Sequence, residues 1–128
     1  HLVQSASVLR NPVFIDGENY SGTPNMLRNP LLREQLLSYF GRDMQPLQNA
    51  VFVPLGDKVV EALHFVADQG LLARDRILDG LPHPSGANAE RIAYFLGKKR
   101  REDLSAKTNP VKLDEAREGI MGRILALA

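Results

Sequence analysis

The segment GLPHPSGANAERI, residues 80–92, sets a histidine between two prolines and follows it with serine, glycine and a run that reads as a helix. Pro82 and Pro84 each lock φ at roughly −65°, so the backbone is stiff on both sides of His83 and the imidazole is held in one direction. An imidazole placed this way can donate a hydrogen bond to charge that develops on a reacting group, an effect of about 3 kcal/mol in a water-excluded site. Ser85 and Gly86 carry little bulk and let an anionic backbone come close. The amides of Ser85 to Asn88, at a helix start, suit a phosphate. A plainer alternative is a loop histidine bonded to a neighbouring carbonyl, with prolines that only end a strand. The residues alone leave both open.

The elements that must carry this loop follow from periodicity and punctuation. AVFVPL, residues 50–55, is a short apolar run that reads as a buried strand, and RILDGLP, residues 76–82, is a second strand candidate ending at the prolines. Between them KVVEALHFVADQ places Val59, Val60, Leu63 and Val66 on one helical stripe, with Asp57 as cap and Gly70 as stop. HLVQSASVLR, residues 1–10, reads as a strand, and NPVFIDGENYSGTPN as a long loop of the kind that often carries function. A helix begins near Pro30, carries leucines at 31, 32, 36 and 37, and ends at Gly41. Asn88 can cap AERIAYFL, which stops at Gly97, and Asn109 with Pro110 opens the last helix. Strands alternating with helices predict one α/β domain over residues 1–128, three-layered, with a small, mainly parallel sheet flanked by helices. Three strands at most are present. The sheet is therefore expected to be incomplete at its N-terminal side.

Composition narrows the class. An apolar fraction of 44% over 128 residues is ordinary for a globular core. The chain has no cysteine, so disulfides and thiolate metal sites are excluded, which fits the cytoplasm. Three histidines without ligand spacing predict no metal site, and no apolar run reaches the ~20 residues of a membrane span. The chain opens at His1 without a methionine or a signal-peptide pattern, as expected of a processed or truncated product, or else of a leftover tag histidine. Residues 1–80 carry seven Lys/Arg against nine Asp/Glu, and residues 81–128 carry nine against six, so the halves stand at −2 and +3. A polyanion should meet the C-terminal part.

PHPSGAN, residues 82–88, resembles the second signature of the uracil-DNA glycosylase superfamily, in which a His-Pro-Ser core is followed by a small-residue loop. The resemblance implies a base-excision repair hydrolase that binds DNA and needs no cofactor. By the same resemblance His83 is the electrostatic catalyst that steadies negative charge on the leaving uracil. Pro84 and Ser85 pinch a phosphate, and Gly86, Ala87 and Asn88 form the loop that wedges into the base stack. AVFVPLGDKVVEAL is similar to the strand and helix that precede this signature. HLVQSASVLR resembles the strand whose asparagine reads the uracil edge, and Gln4 falls nearest that place, with one methylene too many. The superfamily's first signature, a Gly-rich loop bearing the water-positioning Asp or Asn, should come earlier, and this chain starts at the base-reading strand.

Several residues stay open at this stage. Asp16 or Glu18 can replace the missing water-positioning group, although carboxylates beside Gly17 are usually turn formers. Lys98, Lys99, Arg100 and Arg101 follow the helix opened at Asn88 and can contact DNA phosphate, with Lys107 beyond. A basic run is more often a solvated helix end. His64 and Tyr94 fit packing better than catalysis, and Tyr20 can stack on a base. The rival functions are a non-catalytic nucleic-acid-binding module and a structural fragment or small-molecule phosphate hydrolase.

Overall fold

Helix, not sheet, carries the architecture. The computed structural model describes residues 3–128; His1 and Leu2, the start of the first expected strand, lie outside them. Helix accounts for 51% of the protein, and the strands among the described residues form one two-stranded antiparallel sheet. The expected three-layer α/β fold with a mainly parallel sheet is therefore overturned. Residues 3–10 join no ladder, and Val3 is almost fully exposed. Of the expected parallel pairing between residues 50–55 and 76–82, one bridge forms. Phe52 N donates to Arg76 O and Leu78 N donates to Phe52 O, both at 2.8 Å. The next donor in such a ladder would be the amide of residue 54, which is proline and has none. Val51, Val53 and Leu55 are 42–48% exposed, so this segment buries one face only and is not the buried strand expected.

The segment expected to be a loop holds the sheet that does exist. Strand β1 (Phe14–Ile15) pairs with β2 (Glu18–Asn19), Phe14 opposite Asn19 and Ile15 opposite Glu18. Asp16 (φ 51°) and Gly17 (φ 83°) make the turn. Two successive positive φ values are what a tight hairpin needs, and Asp-Gly supplies them at low steric cost.

The chain divides into two compact units: the described residues up to 50 with 61–74, and residues 51–60 with 75–128. In the first, Asn29 caps α1 (Pro30–Gln35), its Oδ1 accepting from Leu31 N and Leu32 N, and Pro30 takes the first helical position, where no amide is needed. The helix does not stop at Gly41. It continues through a wider π turn (Leu36–Gly41), where Arg42 N reaches back to Leu37 O, into α2 (Arg42–Met44). Leu32, Leu36 and Phe40, four residues apart, are buried, as are Ala62, Leu63 and Val66 of α3 (Asp57–Asp68). Gly41 permits close packing here. A Cβ on it would stand 2.7 Å from Leu71 Cδ1 and 3.6 Å from Val66 Cγ1. The turn after α3 closes through Gly70 at φ 76°, and His64 Nδ1 lies 2.9 Å from Arg74 Nη1.

The second unit is built around Pro54, Ile77 and Leu78, with Tyr94 of α4 (Ala89–Phe95) and Ile120 of α5 (Pro110–Leu127). Asn109 caps α5 through Lys112 N at 3.2 Å, as the Asn-Pro pair predicts. Helix α5 lies against Gly80, where a Cβ would meet Ala116 Cβ at 3.3 Å. Arg123 holds the same segment from α5, bonding both the carboxylate and the carbonyl of Asp79. The Tyr94 hydroxyl donates to Asp114 Oδ2 at 2.9 Å and joins α4 to α5. Burial and then this carboxylate push the Tyr94 hydroxyl pKa up.

Candidate functional site

His83 lines an open cleft of about 350 Å³ that lies wholly within the second unit. It is lined by Gly56, Asp57 and Val60, by Gly80, Leu81 and Pro82, and by Asn88, Arg91, Lys107 and the first turns of α5. The side chain of His83 is exposed, and its imidazole has no hydrogen-bond partner among the described residues. Gly56 sets its position. A Cβ there would stand 2.9 Å from His83 Cδ2, and Gly56 has φ 106°, a conformation L residues rarely adopt. Gly56→Ala is therefore expected to cost about 1–3 kcal/mol through backbone strain and to displace the imidazole. Urea denaturation together with the NMR shift of the His83 ring checks this. An unchanged midpoint with an unshifted ring would refute it.

The loop after His83 is tied by its own groups. Ser85 N donates to His83 O at 2.8 Å and Asn88 N to Ser85 O at 2.9 Å. Two of the four amides expected to await a phosphate are thus spent on closing the turn. A 3₁₀ turn (Gly86–Asn88) precedes α4, and the Asn88 side chain does not cap that helix. Its amide instead donates to His83 O (3.2 Å) and Ser85 Oγ (3.3 Å), while its oxygen accepts from Arg91 Nη1 at 2.7 Å. Arg91 also reaches Lys107 O at 3.4 Å, so Asn88 and Arg91 together link the histidine loop to the segment before α5.

That segment is anchored at Glu90. Its carboxylate accepts from Lys99 Nζ (2.7 Å), Ser105 N (3.1 Å), Ser105 Oγ (2.6 Å) and Thr108 Oγ1. The Lys99 ammonium first, then the two hydroxyls, hold the Glu90 carboxyl well below the usual carboxylate range. The basic run expected to meet DNA is largely occupied in this way. Lys99 pairs with Glu90, Arg100 with Glu102 and Asp103, and Arg101 with Asp114 at 3.8 Å. The cations that line the cleft are instead Arg91, Lys107 and Lys112, against a single carboxylate, Asp57. The Lys107 and Lys112 ammonium groups have no partner among the described residues. Three cations against one carboxylate give the cleft a net positive lining.

Of the residues singled out by sequence, Pro82, His83, Asn88 and Lys107 line this cleft, and Ser85 is bonded to Asn88. Gln4 does not. It lines a separate depression in the first unit, beside Arg10, Phe40 and Arg42. Asp16 and Glu18 belong to the hairpin, Asp16 as turn residue. The part played by Lys112 and Arg91 had no linear signal, because it depends on where α5 and α4 pack. The described residues hold no group of three or more His, Asp or Glu that could bind a metal ion, and no helix among them is long and apolar enough to cross a membrane.

No family model matches the chain, and no solved structure matches it. A Bacillus subtilis (strain 168) protein, "Uncharacterized protein YoxB", is 29% identical over 120 residues, which cover 92% of this chain and 47% of that protein. The chain spans about half the length of the curated relative it matches.

Proposed function

We propose that the protein binds DNA through the His83 cleft and that, in the whole protein, His83 steadies negative charge on a damaged base such as uracil as its N-glycosidic bond is hydrolysed. One observation carries this reading: an exposed imidazole without a protein partner, gripped between prolines, in a cleft bearing three cations and one carboxylate. A cleft of about 350 Å³ is of the size that takes a small ligand, and a nucleotide flipped out of the stack presents one. Lys107 and Lys112 would hold its phosphates, and the local resemblance of residues 82–88 to the glycosylase signature supports the chemistry. We place this activity in the cytoplasm, in line with a chain that has no cysteine.

A second reading, a nucleic-acid-binding module without catalysis, is favoured by the net positive lining of the cleft, which binding needs and which by itself carries no chemistry. A fluorescence titration of uracil-containing DNA against salt, run beside a base-release assay, separates the two. The Lys107→Gln, Lys112→Gln double variant is expected to make the slope of log K against log salt shallower by about 2, near 0.9 per lost phosphate contact. An unchanged slope would remove both lysines from the interface. Steep binding without base release would favour the second reading.

A further inference from the structure

We infer that Arg91 is the positioning residue of the His83 cleft: acting through Asn88, its guanidinium fork sets where His83 stands relative to Lys107. The inference rests on the proposed function for its rate readout alone, since the placement of the ring is measured without any reaction.

The prolines leave part of this placement to the rest of the loop. Pro84 confines ψ of His83 to a range of roughly 40°, and within it the direction of the His83 carbonyl decides how the residue sits. That carbonyl accepts from Ser85 N at 2.8 Å and from the Asn88 side-chain amide at 3.2 Å. The same amide donates to Ser85 Oγ at 3.3 Å. Donor chemistry fixes which end of Asn88 faces the loop. A guanidinium only donates, so the group that meets Arg91 Nη1 at 2.7 Å is the Asn88 oxygen, and the NH2 group is turned to His83. The bond from Arg91 is the shortest in this chain of contacts and falls in the charge-assisted range.

Arg91 has a second anchor. Its Nη2 donates to Lys107 O at 3.4 Å, while the adjacent Glu90 holds Ser105 and Thr108. Both residues of α4 thus fix the backbone that carries Lys107, but of the two only Arg91 reaches the His83 loop as well. His83 and Lys107 both line the cleft. A planar fork serves two acceptors that lie in different directions. A lysine ammonium carries the same charge without that geometry.

The test compares wild type, Arg91→Lys, Asn88→Asp and the double variant in the whole protein. The readouts are NMR of the His83 ring, single-turnover release of uracil from DNA, and DNA affinity. Arg91→Lys keeps the charge and loses the fork. Asn88→Asp keeps an acceptor for Arg91 and loses both donors to the loop. Each is expected to shift the His83 ring resonances and to slow base release about 100-fold, the scale of a displacement of roughly 1 Å. DNA affinity in Arg91→Lys should stay within a factor of about two, because the charge is kept. The double variant should be no slower than the slower single variant, because both changes cut one chain of contacts.

An unshifted ring or a wild-type rate in Arg91→Lys overturns the inference and makes Arg91 a charge only. Multiplied slowing in the double variant overturns action through Asn88. An Arg91→Lys protein that does not fold overturns it too, since Arg91 is then a structural residue. No base release by wild type, on DNA that it binds, removes the glycosylase reading and leaves the ring shifts to decide the role of Arg91.

Discussion

On the glycosylase reading proposed above, His83→Ala in the whole protein is expected to slow glycosidic hydrolysis about 1,000-fold while DNA affinity stays within a factor of about two. The magnitude is that of removing one well-placed donor from a site where charge develops only in the transition state. Binding should survive because the anion-attracting charges reside on Arg91, Lys107 and Lys112, not on the imidazole. Folding should survive as well. The side chain is exposed and makes no hydrogen bond among the described residues, and Pro82, Pro84 and the Asn88 amide hold the loop without it. Single-turnover rates give the readout, so that product release does not mask the chemical step. A fall in both the rate constant and KM would point to lost ground-state strain. A rise in KM alone would make His83 a binding group and take it out of the mechanism.

Leu36→Ala is expected to destabilise the first unit by about 2–5 kcal/mol, a large share of the ~5–15 kcal/mol that a domain of this size possesses. Leu36 has no exposed surface and stands at the start of the π turn, between Leu32 and Phe40 on the buried face. Truncation there removes transfer free energy and leaves a cavity. Leu31→Ala serves as the internal comparison. That side chain is 67% exposed on the same helix, and its loss should change stability by no more than about 0.5 kcal/mol. Urea midpoints at constant slope measure both. Similar small shifts for the two variants would show that the helix is not packed as described.

The two large effects depend on different parts of the molecule, and the sequence disclosed them unequally. Leu36 was visible from its spacing, because leucines near a 3.6-residue period must share a face wherever the helix goes. The stiff His83 loop was visible for a similar reason, since proline acts on its own backbone. The function of the loop amides was not, because Ser85 N and Asn88 N find carbonyl partners within the loop. The basic run misled in the same sense. Lys99, Arg100 and Arg101 look like a DNA-facing patch until Glu90, Glu102, Asp103 and Asp114 are brought beside them. The hairpin shows the opposite case. Asp16-Gly17 is a hairpin-turn dipeptide, but the flanking Val-Phe-Ile and Glu-Asn do not alternate, and the surrounding prolines and glycines point to a loop.

Residue order by itself determined what neighbours along the chain can settle: the caps at Asn29 and Asn109, the helix starts at Pro30 and Pro110, and the rigidity around His83. These depend on one residue's φ, or on a side chain reaching an amide two or three positions away. Tertiary structure alone decided that one parallel bridge replaces a sheet, that α5 docks on Gly80, and that Asp57, Arg91 and Lys112 meet His83 in one cleft. Such contacts join residues tens of positions apart. Their existence turns on packing and on whether a donor such as the amide that Pro54 lacks is there to extend a ladder, which no local pattern specifies.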